Sequence, residues 1–117
     1  MGKGIRMYDP KKSVEYKDII SSLAKEQYAG KPIEYIPLKM DLRFYRMIPK
    51  SVSNKRRKLK ENGEIRPVVK PDVDNYSKAI LDALNGILYK DDSQIVELNV
   101  SKYYSDDTRV ELEIYKL

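Results

Sequence analysis

At 117 residues, with 41% hydrophobic and 35% charged residues and a net charge of +5, the chain has the size and make-up of one globular domain (1–117) with a polar surface. It contains no cysteine and no histidine, which excludes disulfide frameworks, thiolate metal sites, Ser-His-Asp triads, Cys-His nucleophile pairs and histidine-based zinc hydrolases. No apolar run approaches the ~20 residues of a membrane-spanning helix, and residues 1–10 lack the apolar core of a signal peptide, so a cytoplasmic protein with no membrane partner is expected.

In chain order, Asp9-Pro10 has the form of a helix N-cap followed by proline at the first helical position. Tyr16, Ile19, Ile20, Leu23, Ala24 and Tyr28 then recur at helical spacing, and Gly30 ends the run, which predicts an amphipathic helix over 10–28. From Ile36 to Phe44 the pattern becomes alternation, with Ile36, Leu38, Met40, Leu42 and Phe44 on one face, which predicts a strand buried on that face. The next segment is basic and reads as a short helix opened by Ser51 or Ser53. Asn62-Gly63 signals a turn, and a loop or short hairpin is expected over 62–71. A second helix is predicted over 75–85, with Asp74 as N-cap, Tyr76, Ala79, Ile80, Ala83 and Leu84 as its buried stripe, and Gly86 as its stop. Ile87 to Tyr89 form a short apolar run that ends at Asp91-Asp92. Two strands follow, one carrying Val96, Leu98 and Val100 and the other Val110, Leu112 and Ile114, with a turn at Ser105-Asp106-Asp107-Thr108. The expected architecture is α+β: a small mixed or antiparallel sheet with two main helices packed on it.

Without histidine or cysteine, chemistry at neutral pH falls to carboxylates, lysine, tyrosine, or a hard ion held by oxygens, which favours Mg²⁺ or Mn²⁺. Charge is unevenly distributed. Lys50, Lys55, Arg56, Arg57, Lys58 and Lys60 fall within eleven residues that contain no acid, whereas 91–113 holds seven acids against Lys102 and Arg109. Cations that neutralise phosphates beside carboxylates that hold an ion are the parts of a metal-dependent nuclease; a solvated charged face is the plainer reading of the same runs.

The informative stretch is Lys70-Pro71-Asp72-Val73-Asp74-Asn75. Proline at 71 drives Lys70 toward extended backbone, and two residues of extended chain would put the Asp72 and Asp74 carboxylates on one side. Such a pair repels itself unless a cation lies between; helix capping by one of them is the alternative. Lys78 follows Asp74 by four residues and precedes Asp82 by four. It would be either a member of surface ion pairs or a cation over a reacting phosphate. A short strand through 87–89 would return Asp91-Asp92 toward the start of the helix.

Residues 70–104, from Lys-Pro-Asp-Val-Asp-Asn through Lys-Asp-Asp-Ser-Gln-Ile-Val to Lys102-Tyr103-Tyr104, resemble the signature of the RusA family of Holliday-junction resolvases, and the likeness extends more weakly over the rest of the chain. The Asp-x-Asp-Asn-x-x-Lys and Asp-Asp-x-Gln halves are specific in combination. The resemblance implies a homodimeric endodeoxyribonuclease of DNA recombination and repair, common in bacteria and their phages or prophages. It implies a RusA-like fold and paired nicks in four-way DNA junctions, with Mg²⁺ (or Mn²⁺) and no small-molecule cofactor. It places metal-holding, catalytic aspartates at Asp72, Asp74 and Asp92, with Asp91 as the alternative third, and the family's lysine at Lys78. Asn75 fills the motif's asparagine. DNA contacts are expected from Asn75, Lys70 and the basic residues of 50–60. The likeness begins near Gly4, so the family's N-terminal strand is expected to be missing, leaving a bare sheet edge. The alternatives are a branched-DNA-binding module without chemistry, and a nuclease of flaps or branches.

Overall fold

A computed structural model describes residues 3–7, 16–28, 30–70 and 72–117. Its elements are β1 (Lys3–Met7), α1 (Tyr16–Gln27), β2 (Leu38–Met47), α2 (Asn54–Glu61), α3 (Val73–Leu84), a 3₁₀ turn (Asp92–Gln94), β3 (Ile95–Ser105) and β4 (Arg109–Lys116). The expected N-cap at Asp9-Pro10 lies outside the described residues.

The alternation over Ile36–Phe44 becomes the central strand of the fold. Leu38, Met40, Leu42 and Phe44 of β2 are buried, and the β4 residues Val110, Leu112 and Ile114 lie beside them on the same face. α1 and α3 cover that face, with Ile20, Ala24, Ile80, Ala83 and Leu84 completing the core. The Ser21 hydroxyl ties the two helices by donating to the Ala83 carbonyl at 2.8 Å. This is the expected α+β arrangement.

The sheet is mixed, in the order β1-β4-β2-β3. β4 runs antiparallel to both β1 and β2, whereas β3 runs parallel to β2. β3 and β4 are consecutive in sequence but not adjacent in space, because β2 lies between them. The turn at 105–108 therefore carries the chain past the end of β2, where Ile48 donates its N–H to the Ser105 carbonyl.

One expectation is corrected. The outer edge of β4 is not bare: β1 pairs along it, from Lys3 opposite Ile114 to Met7 opposite Val110. Five residues suffice because β4 offers an unpaired row of backbone donors and acceptors. Leu98 lies opposite Met40 in the register with β2, which skips Val96 at an irregularity, yet Val96 and Leu98 are 59% and 42% exposed. β3 is the edge strand, and nothing among the described residues covers these two side chains.

Candidate active site

α3 starts one residue after Asp72, so Asp74 lies in its first turn, and Asp72, not Asp74, is the N-cap. The backbone is extended at Asp72 (φ −71, ψ 157) and helical from Val73. Strand alternation therefore does not relate the two carboxylates. Asp72 makes no side-chain capping bond. Asp72, Asp74, Asn75 and Lys78 are all exposed, and among the described residues Lys78 forms no ion pair with Asp74 or Asp82. The start of α3 thus presents uncommitted carboxylates and one ammonium at a helix end whose dipole is positive.

That end of α3 is held by contacts that sequence reasoning did not single out. The Tyr76 ring stacks on Phe44 with centroids 4.1 Å apart. Arg46 donates to the Lys70 carbonyl at 3.2 Å, and the Lys102 ammonium to the Val69 carbonyl at 2.7 Å. Arg66 donates to the Lys102 carbonyl at 2.6 Å while its guanidinium covers the Tyr103 ring at 3.9 Å. The only sequence signal for any of these is the Lys102-Tyr103-Tyr104 tripeptide.

Asp91 and Asp92 lie at the opposite end. The run 87–89 is not a returning strand: Gly86, at φ +77, turns the chain, and its N–H donates to the Tyr89 carbonyl. Tyr89 is fully buried and donates its hydroxyl to the Leu81 carbonyl, near the last turn of α3. Its pKa is pushed well up, mainly by burial and then by the nearby charges of Asp92, Asp82 and Asp91. All three acids act on the Tyr89 hydroxyl, which itself bonds to the last turns of α3.

The side chain of Gln94 fixes this corner. Its oxygen accepts from the N–H groups of Lys90 and Asp91, and its nitrogen donates to the carbonyls of Ile33, Glu34 and Ile36. Asp91 is engaged as the cap of the 3₁₀ turn, accepting from the Ser93 N–H at 3.1 Å. That hydrogen bonding holds its carboxyl below the ordinary aspartate range. Asp92 is half-buried and free of such a role.

Two rulers give the separation. The twelve residues of α3 span ~18 Å. Ile95, just after the 3₁₀ turn, and Lys102, which anchors the approach to Asp72, are ~23 Å apart along β3. Among the described residues no three acidic side chains come together in a group able to hold a metal ion. Asp72 and Asp74 are near one another in the chain, but a single chain does not bring Asp92 or Asp91 to them. The donor set of one chain therefore does not fit one divalent cation.

The basic segment is divided in its uses. Lys50, Lys55, Arg56, Lys58 and Lys70 are exposed. Arg57 instead pairs with Asp106 at 2.7 Å and donates to the Pro49 carbonyl. Lys60 is buried, its ammonium 4.1 Å from the centre of the Tyr104 ring. α2, capped by Ser53 as one of the two expected serines, carries this charge.

The family described as Endodeoxyribonuclease RusA matches residues 1–115. Uncharacterized protein YqaN of Bacillus subtilis (strain 168) is 48% identical over 112 residues, which cover 94% of this chain and 78% of that protein.

Proposed function

This chain belongs to the RusA endodeoxyribonuclease family, and we propose that it is a Holliday-junction resolvase acting as a homodimer in DNA recombination and repair. The reaction is hydrolysis of phosphodiesters on opposed strands of a four-way junction. Mg²⁺, or Mn²⁺ in its place, enters the proposal as an ion that the assembled protein binds; the aspartates of one chain do not make its site.

The observation that carries the reading is the start of α3. A motif matching the family presents Asp72, Asp74 and Lys78 together, exposed and uncommitted, at a helix N-terminus. Phosphate is drawn to such a helix end. Lys78, one turn beyond Asp74, is suited to steady negative charge developing on a phosphoryl oxygen. Lys50, Lys55, Arg56, Lys58 and Lys70 supply sequence-independent contacts to the DNA backbone. Asn75 is a neutral contact next to the acidic pair. The scattering of the aspartates within one chain favours a second reading, a junction-binding module without chemistry.

A labelled synthetic four-way junction, a flap and a linear duplex of matched sequence, each incubated with the protein with and without Mg²⁺, distinguish these readings. Symmetric paired nicks in the junction, dependent on Mg²⁺ or Mn²⁺, are expected. Junction binding that weakens steeply with salt but yields no nicks leaves the binding module. Equal cutting of the flap makes the protein a general branch nuclease.

A further inference from the structure

We propose that the helix-bearing face of the sheet carries an anion subsite beside the start of α3, where Arg46 and Lys102 seat a phosphate within two nucleotides of the scissile one. The identity of the anion as DNA rests on the resolvase reading. The subsite itself comes from the fold.

The first observation is a break in the burial pattern. On β2, Leu38, Met40, Leu42 and Phe44 face the helices and are buried, and the next residue on that face is Arg46. On β3, the register sets Leu98 opposite Met40, Val100 opposite Leu42 and Lys102 opposite Phe44. Each strand thus replaces its next apolar residue with a cation. Both do so at the end where α3 begins, marked by the stack of Tyr76 on Phe44. An inward-facing charge on an edge strand guards against strand addition, which would account for Lys102. It does not account for Arg46, because β2 lies between β4 and β3.

The second is the space these cations enclose. Arg46, Lys70 and Lys102 line a hollow between the two strands and the segment before α3, walled by Phe44, Val69 and Tyr76. No acidic residue lines it. Among the described residues neither Arg46 nor Lys70 forms an ion pair. Cations gathered in this way repel one another, and the positive end of the α3 dipole adds to their field. Size decides which group fits. The hollow has a volume of about 10 Å³, room for one water-sized group. A nucleobase is too large for it, whereas one phosphoryl oxygen is not.

The third is preorganisation. Arg46 Nη1 donates to the Lys70 carbonyl and Lys102 Nζ to the Val69 carbonyl. For Arg46 this bond uses one of five guanidinium donors, so the anchored fork keeps others for a phosphate. Lys70 precedes Asp72 by two residues, at most ~7 Å of chain. Each nucleotide of a DNA strand advances ~3.4 Å along the helix axis. A strand whose phosphate meets Asp72 and Asp74 therefore has another within reach of the hollow.

The test separates a phosphate ligand from a mere clamp. Arg46→Gln keeps an N–H for the Lys70 carbonyl but removes the charge, and Arg46→Lys keeps the charge. Lys116→Gln removes an equal charge at the far end of β2, opposite Leu38. Junction affinity is measured by gel shift in EDTA over a salt series. Arg46→Gln should flatten the plot of log affinity against log salt by about one unit of slope. Arg46→Lys and Lys116→Gln should keep the wild-type slope. A neutral methylphosphonate within two nucleotides of the cut should weaken wild-type binding about tenfold and cost Arg46→Gln nothing more. If Arg46→Gln keeps the wild-type slope, or loses as much as wild type at every methylphosphonate, Arg46 only clamps the chain. The subsite is then overturned, while junction cutting by wild-type protein leaves the resolvase reading intact.

A measurement on wild-type protein alone does not depend on any variant folding. At constant ionic strength, the Arg46 Nε–H resonance should shift saturably with inorganic phosphate, and the absence of a saturable shift overturns the site. If the shift occurs but no junction is bound, the resolvase reading fails and the DNA assignment with it, and an anion site remains.

Discussion

The two ends of α3 place aspartates in opposite circumstances. At the N-terminal end, Asp72 occupies the capping position without using its carboxylate as a cap, and Asp74 and Lys78 extend into solvent. At the C-terminal end, Asp91 caps a 3₁₀ turn and Gln94 binds the turn to the chain before β2 through five hydrogen bonds. The first end retains charge that the fold does not use. The second places one free carboxylate, Asp92, on a rigid corner.

The comparison is broken most severely by removing the free charge. Asp72→Asn keeps a residue equally suited to the N-cap position, so α3 should remain intact and the melting temperature nearly unchanged. Nicking of a four-way junction should fall by at least about 100-fold. Junction affinity, measured by gel shift in Ca²⁺ or EDTA, should hold or rise, because one negative charge near the phosphates is gone. Cleavage at the wild-type rate would remove Asp72 from the site. The converse variant, Gln94→Ala, attacks the rigid end. It leaves the Lys90 and Asp91 N–H groups without their acceptor and deprives three carbonyls of a donor. Unfolding in urea should report a loss of about 2–3 kcal/mol, and a loss below half that would mean water replaces the side chain at little cost.

How far this contrast can be read in the amino-acid order depends on range. The alternation at Leu38, Met40, Leu42 and Phe44 and the 3.6-residue stripe through Ile80, Ala83 and Leu84 are local, and the structure follows them. Which strands are neighbours is not local: the insertion of β2 between β3 and β4 leaves no trace in the short connection from Ser105 to Arg109. Alternation also tells which residues share a face but not whether the face is covered, so Val96 and Leu98 read like Leu112 until the edge position of β3 is known. Charge has the same ambiguity. Lys60 and Arg57 are indistinguishable from Lys58 in sequence, yet one lies buried over Tyr104 and the other clamps Asp106. For the site, Asp72, Asp74 and Lys78 are legible as a group because they lie within two helical turns. The distance to Asp92 is not, since an apolar run of three residues after Gly86 suits a returning strand as well as the turn that forms.

The smallest expected effect tests whether Asp91 belongs to the fold or to the reaction. Its carboxyl is held below the ordinary aspartate range by hydrogen bonds from Ser93. A group depressed in the folded state contributes stability above its unfolded pKa and loses that contribution as pH falls through the folded value. Asp91→Asn keeps a capping oxygen but removes the charge. The variant should therefore melt slightly below wild type at pH 7, and the gap should close as pH falls below about 4. Other carboxylates titrate in both proteins and largely cancel in the difference. Junction cleavage at pH 7 should change by less than about threefold, because Asp91 is occupied with its own turn while Asp92 keeps a free carboxylate. A loss of nicking as deep as that of Asp72→Asn, with no change in the melting difference across this pH range, would move the third aspartate from position 92 to position 91.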